Sequence, residues 1–150
     1  MARTPKVAII GGGIGGLAAA VALHRRGIEA VVYEQAEALT EIGAGLNLSP
    51  NALKALRALE LEDDAIAIGY QADYQVIRSG RSGRVLSRLQ RSGAITERFG
   101  AAFLTIHRAD LQNLIRNALP EQALFLGKSC TGVEGATACP QVHPSHSTPR

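Results

Sequence analysis

Apolar and polar positions fall into blocks along the first 128 residues, and the period changes from block to block. Val7 to Ile10 is a short unbroken apolar run, the signature of a buried parallel strand. Leu17 to Arg26 switches to a helical period, with Leu17, Ala20, Val21 and His24 on one face and Gly27 as the stop. Ala30 to Tyr33 is a second apolar strand ending at Glu34. Ser49 and Pro50 open a helix to about Leu59, as N-cap and first helical residue, with an apolar face of Ala52, Leu53, Leu56 and Leu59. "EDDAIAIG" reads as a turn and a short element, and "ADYQVIRS" and "GRVLSRL" read as a hairpin joined through "GRSG". "AAFLTIH" is a further apolar strand. "RADLQNLIRNALP" is a helix with Leu111, Leu114, Ile115, Ala118 and Leu119 at helical spacing, closed by Pro120; Asp110 is its expected cap. "ALFLGK" is a buried-strand candidate.

Strands alternating with helices predict an α/β, Rossmann-like three-layer domain, with the hairpin as an excursion. Val7–Ile10, Ala30–Tyr33 and Leu124–Lys128 should share one parallel sheet, with Val7–Ile10 away from its edge. From Ser129 the apolar period stops. Residues 129–150 hold both cysteines, two of the four histidines and three of the six prolines, the composition of an irregular tail beside a 1–128 domain.

The glycines carry the first chemical signal. Five of the six positions from Gly11 to Gly16 are glycine, and Gly11, Gly13 and Gly16 satisfy G-x-G-x-x-G between a strand and a helix. In that unit the first glycine makes the tight turn. The second lets backbone meet a pyrophosphate, and the third lets helix and strand pack closely. The helix N-terminus supplies unpaired N–H groups and a partial positive charge. Glu34 stands 18 residues beyond Gly16, near the distance at which an acid accepts ribose hydroxyls. An acid there also disfavours a 2′-phosphate, which favours FAD or NAD over NADP at this site.

Composition narrows the rest. With 46% hydrophobic and 19% charged residues the chain has the makings of a globular domain, and no apolar stretch reaches membrane-span length. No signal-peptide layout opens it, so a cytoplasmic location is expected. Cys130 and Cys139 lack metal-ligand spacing and read as free thiols, with no metal site. Six arginines and one acid lie between Arg78 and Arg98, but without interleaved aromatics or a recognition motif they read as a solvated ribbon, not a nucleic-acid surface.

Three segments together, the fingerprint through "YEQA", "EIGAGLNLSPNALKAL" and "FGAAFLTIHRADLQNLI", resemble the FAD-dependent aromatic-ring monooxygenases, the salicylate and 6-hydroxynicotinate hydroxylase group. The resemblance runs over about residues 5 to 128. It implies that Gly11, Gly13, Ile14 and Gly16 cradle the FAD pyrophosphate, and that Glu34 and Gln35 serve the adenosine ribose. Gly43, Ala44, Gly45 and Leu46 would lie near the flavin, and Arg108 would reach its ribityl or phosphate region. Asn47 could face substrate, and His107 reads as structural. No catalytic residue is implied. The reaction implied is hydroxylation of a small aromatic acid, with NADH or NADPH reducing FAD and O₂ as oxidant. The later glycine–aspartate motif of the family is not found, so the expectation is an FAD-binding portion of a truncated or frameshifted product. Such a chain would bind FAD weakly and leave hydroxylation uncoupled. A vestigial dinucleotide-binding domain and half of an NAD-linked oxidoreductase stand as alternatives; oligomeric state is not legible.

Overall fold

The computed structural model describes residues 7–39, 44–134 and 141–144. Strand β1 is Val7–Ile10, helix α1 Ile14–His24 and strand β2 Ala30–Tyr33, so the first strand–turn–helix–strand unit forms where the apolar pattern put it. The helix begins three residues before Leu17 because the glycine turn runs directly into it. Its buried face is Leu17, Ala20 and Val21. His24 ends that face by sharing a 2.8 Å hydrogen bond between its Nε2 and the Ala30 carbonyl oxygen. Gly27, at φ +71°, reverses the chain.

β1 pairs in parallel with β2, from Val7 opposite Ala30 to Ile10 opposite Tyr33. On the other side β2 pairs in parallel with the short strand β7, Leu124–Phe125. The order is β1-β2-β7, so the single parallel sheet is as expected but the position of Val7–Ile10 is not. β1 is an edge strand among the described residues. An apolar run reports only what the side chains prefer and does not number the strand's neighbours. Here Ala8 and Ile10 are exposed, Ile10 by 50%, while the central β2 fully buries Ala30 and Val32. The "ALFLGK" strand is also shorter and wetter than its composition suggests. Phe125 and Leu126 are exposed, and Gly127 turns the chain at φ +64°.

Contacts gather the chain into two compact units, Met1–Glu41 with Ile115–Arg150, and Ile42–Leu114. In the second unit, β3 (Gly45–Leu48) pairs antiparallel with β6 (Leu104–His107), from Gly45 opposite His107 to Leu48 opposite Leu104. Helix α2, Pro50–Ala58, starts at Pro50 as expected and buries Leu53 and Leu56; the Ser49 hydroxyl makes no capping bond. Helix α3 is Glu62–Ile68, and the hairpin is β4 (Tyr74–Arg78) with β5 (Val85–Gln90). Arg88 of that ribbon stacks its guanidinium 4.0 Å from the Tyr74 ring centre, which accounts for one arginine of the cationic stretch.

One helix carried no reading in the sequence, and two local readings need correction. "AITERF" forms helix α4, Ala94–Phe99, closed by Gly100 in the left-handed conformation; with no buried residue it carries no apolar face for a periodicity to show. Helix α5, Arg108–Asn117, begins at Arg108, so Asp110 lies inside the first turn and is not the cap. There its charge still favours the helix dipole. Within the stretch expected to be irregular, β8 (Cys130–Glu134) pairs antiparallel with β9 (Gln141–Pro144). β-branched Thr131, Val133 and Val142 favour extended backbone over a span too short to display a period. Cys139 lies outside the described residues.

Candidate functional site

The glycine turn joins the end of β1 to the start of α1, and each of its glycines stands in a different environment. Gly11 adopts φ +105°, which a side chain rarely tolerates, and its N–H donates to the Tyr33 carbonyl at 2.8 Å. A Cβ on Gly13 would meet nothing within 4 Å, so this position opens onto free space. A Cβ on Gly16 would fall inside the Gly11 carbonyl oxygen and 3.3 Å from Cγ2 of Ile9. That glycine is what allows α1 to lie against β1. Helix α1 has neither a side-chain cap at Gly13 nor an acid in its first turn.

Glu34 extends from the end of β2 beside this turn. Its Oε2 accepts the Gly12 N–H at 2.6 Å and its Oε1 accepts the Ala36 N–H at 2.8 Å. These amides, Ala36 first and Gly12 second, hold the Glu34 carboxyl below the usual carboxylate range against an opposing burial effect. The group is therefore ionised at neutral pH. A carboxylate offers about four acceptor sites, and the Ala36, Gly12 and Gln35 amides do not use them all. The backbone of Glu34 is equally fixed. Its N–H donates to Phe125 at 2.9 Å and its carbonyl accepts the Lys128 N–H at 2.8 Å.

A cavity of about 240 Å³ opens here, walled by Ile10, Gly11, Tyr33, Glu34 and Gln35 on one side and by Lys128, Ser129 and Cys130 on the other. Its floor includes Tyr33, which stacks on Phe125 with ring centres 5.5 Å apart. The second wall was missed in the sequence, where Ser129 and Cys130 fell in the expected tail. The signal that could have found it is register: with Phe125 opposite Tyr33, chain leaving β7 must pass Glu34.

In the second unit the structure brings together another set. Ala44, Gly45 and Leu46 lead into and begin β3, and the Arg108 N–H donates to the Ala44 carbonyl at 3.0 Å. Arg108 is half-buried at the start of α5; Ala44 and Gly45 are exposed. Asn47 accepts a 3.0 Å hydrogen bond from the Thr105 hydroxyl across the β3–β6 ladder, so its carbonyl oxygen already has a partner. Gly43 lies outside the described residues. No three His, Cys, Asp or Glu side chains gather as a metal site among the described residues.

Residues 4–134 match the family described as FAD binding domain. The chain belongs to this family. It is 37% identical over 134 residues to 6-hydroxynicotinate 3-monooxygenase of Pseudomonas fluorescens, covering 89% of this chain and 35% of that protein. It is 43% identical over 105 residues to 3-hydroxybenzoate 6-hydroxylase of Polaromonas naphthalenivorans, covering 70% and 26%. The crystal structure of Klebsiella pneumoniae HpxO complexed with FAD and uric acid superposes with a TM-score of 0.80 at 31% identity, covering 91% of this chain and 34% of that one. p-Nitrophenol 4-monooxygenase of Pseudomonas putida superposes at 0.86 over 98% of this chain and 38% of its own, at 18% identity, a likeness of fold alone. The chain thus spans about a third of the length of the curated relatives it matches.

The described residues fit the adenosine diphosphate part of FAD. Open space over Gly13, uncapped helix amides and an ionised acid beside a cavity are the features that a pyrophosphate and a ribose diol require. The cavity is smaller than the ~300–1,000 Å³ of most whole-ligand sites, in keeping with a pocket for one end of a dinucleotide.

Proposed function

We propose that this chain is the FAD-binding portion of an NAD(P)H-dependent flavoprotein monooxygenase that hydroxylates small aromatic acids. The observation that carries the reading is the joint geometry of the glycine turn and Glu34, an anion cradle and a diol acceptor on adjacent backbone. Membership of the FAD-binding family and the aromatic hydroxylases among its relatives support the choice of cofactor and chemistry. Gly11, Gly13, Ile14 and Gly16 would hold the pyrophosphate, Gly13 by leaving its backbone accessible and Ile14 through its amide in the first turn of α1. Glu34 would accept the ribose hydroxyls, with Gln35 beside it. Ala44, Gly45 and Leu46 would present backbone to the flavin part, and Arg108 would give its guanidinium to the phosphate or ribityl oxygens. When bound, FAD supplies the redox chemistry with O₂; the residues of this chain bind it, orient it and keep its polar end paired.

On this reading residues 1–128 are the cofactor-binding portion, and the protein works in the cytoplasm, where NADH and NADPH are at hand as reductants. Among the described residues no helix is long and apolar enough to cross a membrane. The test is flavin titration followed by turnover. The chain should quench added FAD more strongly than added FMN, because its fitted site takes the adenosine end. NADH and NADPH oxidation should then be followed with and without 6-hydroxynicotinate and 3-hydroxybenzoate. Equal binding of FAD and FMN would remove the adenosine role. Binding of NAD in place of FAD would move the chain to the NAD-linked class.

A further inference from the structure

One face of the β3–β6 ladder is polar and open. Antiparallel pairing puts directly opposed residues on the same face, so Asn47 lies beside Thr105 and Gly45 beside His107. All four are exposed, while Leu48, Leu104 and Ile106 take the opposite face and are buried. A third segment joins the row. Tyr70 bridges Thr105 in antiparallel sense: its N–H donates to the Thr105 carbonyl and its carbonyl accepts the Thr105 N–H, both at 2.8 Å. Tyr70 is itself 70% exposed. With both its backbone groups turned to Tyr70, Thr105 meets Asn47 as a non-hydrogen-bonded pair, the kind in which side chains approach most closely. The Thr105 hydroxyl accordingly donates to Oδ1 of Asn47 at 3.0 Å.

We propose that Thr105 is a positioning residue for Asn47: its hydroxyl fixes the carboxamide with the NH₂ end outward, so that this face offers a hydrogen-bond donor to the carboxylate of an aromatic acid. The inference rests on the monooxygenase reading and deepens it by assigning a partner to the acid group. A primary amide carries a donor on one side and an acceptor on the other, and left unpinned it turns to suit either kind of ligand. Pinned through Oδ1, it discriminates. A carboxylate, which only accepts, meets N–H donors, whereas an ammonium group, which only donates, finds no acceptor. The device is stiff. Thr105 is β-branched, with few side-chain rotamers, and its backbone is held between β3 and Tyr70. Room for a ligand lies next to the pair, since a Cβ on Gly45 would meet only Cγ2 of Thr105, at 4.0 Å. The Tyr70 ring in the same row supplies aromatic surface.

The experiment titrates the FAD-loaded full chain with 3-hydroxybenzoate and with 3-hydroxybenzylamine, which carries an aminomethyl group in place of the carboxylate, and follows binding by NMR. The proteins are wild type, Thr105→Val, Thr105→Ser, Asn47→Ala and the Thr105→Val/Asn47→Ala double variant. Wild type should prefer the benzoate, and the Asn47 side-chain NH₂ resonances should move as it binds. Thr105→Val keeps the branched shape and suits an exposed strand, so thermal unfolding should hardly change. It should nevertheless lose benzoate affinity by about three- to tenfold and narrow the preference over the amine. Thr105→Ser, which keeps the hydroxyl, should restore both. The double variant should bind benzoate no more weakly than Asn47→Ala alone, since Thr105 acts only through the amide. An unchanged preference in folded Thr105→Val, a loss that serine does not restore, or losses that add in the double variant would overturn the proposal. So would an FAD-loaded wild type that binds no benzoate, which leaves the flavoprotein reading standing. A wild-type chain that takes up no FAD fails that reading first, and the Thr105 role falls with it.

Discussion

Gly15 and Gly16 are neighbours in sequence, both lie in the first turn of α1, and their replacement by alanine should move stability in opposite directions. A Cβ on Gly15 would meet nothing within 4 Å, and the position is exposed. The substitution there exchanges the poorest ordinary helix former for the best and should stabilise by about 0.5–1 kcal/mol. At Gly16 the same Cβ enters the Gly11 carbonyl oxygen and presses on the Gly11 carbonyl carbon at 3.2 Å and Cγ2 of Ile9 at 3.3 Å. Oxygen and carbon belong to a backbone held by the 2.8 Å bond from Gly11 to Tyr33, so no side-chain rotation relieves the overlap. The first turn of α1 must lift from β1. Overpacking of this kind costs about 1–3 kcal/mol, and a clash on fixed backbone belongs at the upper end. Set against a helix-propensity gain of about 1 kcal/mol, the net loss should be roughly 2 kcal/mol. For a domain of this size that is a fall in Tm of about 4–10 °C, against a rise of a few degrees for Gly15→Ala. Thermal and urea unfolding of the three proteins side by side gives both signs. A Gly16→Ala protein as stable as wild type would refute the packing argument, and equal losses at both positions would show that the turn resists any side chain.

Gly13→Val should leave the urea midpoint nearly unchanged, because its Cβ faces open space, while FAD affinity measured by fluorescence titration drops by at least tenfold. Glu34→Gln should remove an acid-sensitive part of the stability. The folded carboxyl titrates below its unfolded value, so its contribution is full above the ordinary carboxylate range and is lost as pH falls through the lower, folded value. Urea midpoints at pH 7 and in mild acid should therefore converge more in the variant than in wild type. Arg108→Lys keeps the charge but removes the planar set of donors, and flavin titration should show weaker FAD binding.

The parts of this fold that were legible are those whose pattern is local. The β1-turn-α1-β2 unit announced itself because a strand run, a glycine spacing, a helical period and a terminal acid follow one another within 28 residues, Val7 to Glu34. The β4–β5 hairpin and the start of α2 at Ser49–Pro50 were equally explicit, each marked by turn or cap chemistry. What escaped was set by partners distant in sequence. An apolar run cannot say that β1 has one neighbour among the described residues, nor that Phe125 at the end of a buried-looking run is exposed. Helix α4 buries nothing, so no period betrayed it, and the start of α5 at Arg108 displaced Asp110 from the capping role its residue type suggested.

The same distinction separates what the glycine fingerprint tells from what it leaves out. The G-x-G-x-x-G spacing names Gly11, Gly13 and Gly16, and the structure finds three unrelated reasons for them: a positive φ, an open face and a helix pressed on a strand. Those reasons are internal to the turn and α1, which is why a spacing can record them. The reason for Gly12 lies 22 residues away, in a side chain delivered by the next strand, and its signature is the pair of Gly12 and Glu34 taken together. A motif read along the chain weighs the glycine and the acid as two separate marks. In space they form one device, in which the acid's charge is held ready by the amide of the residue whose missing side chain gives it room.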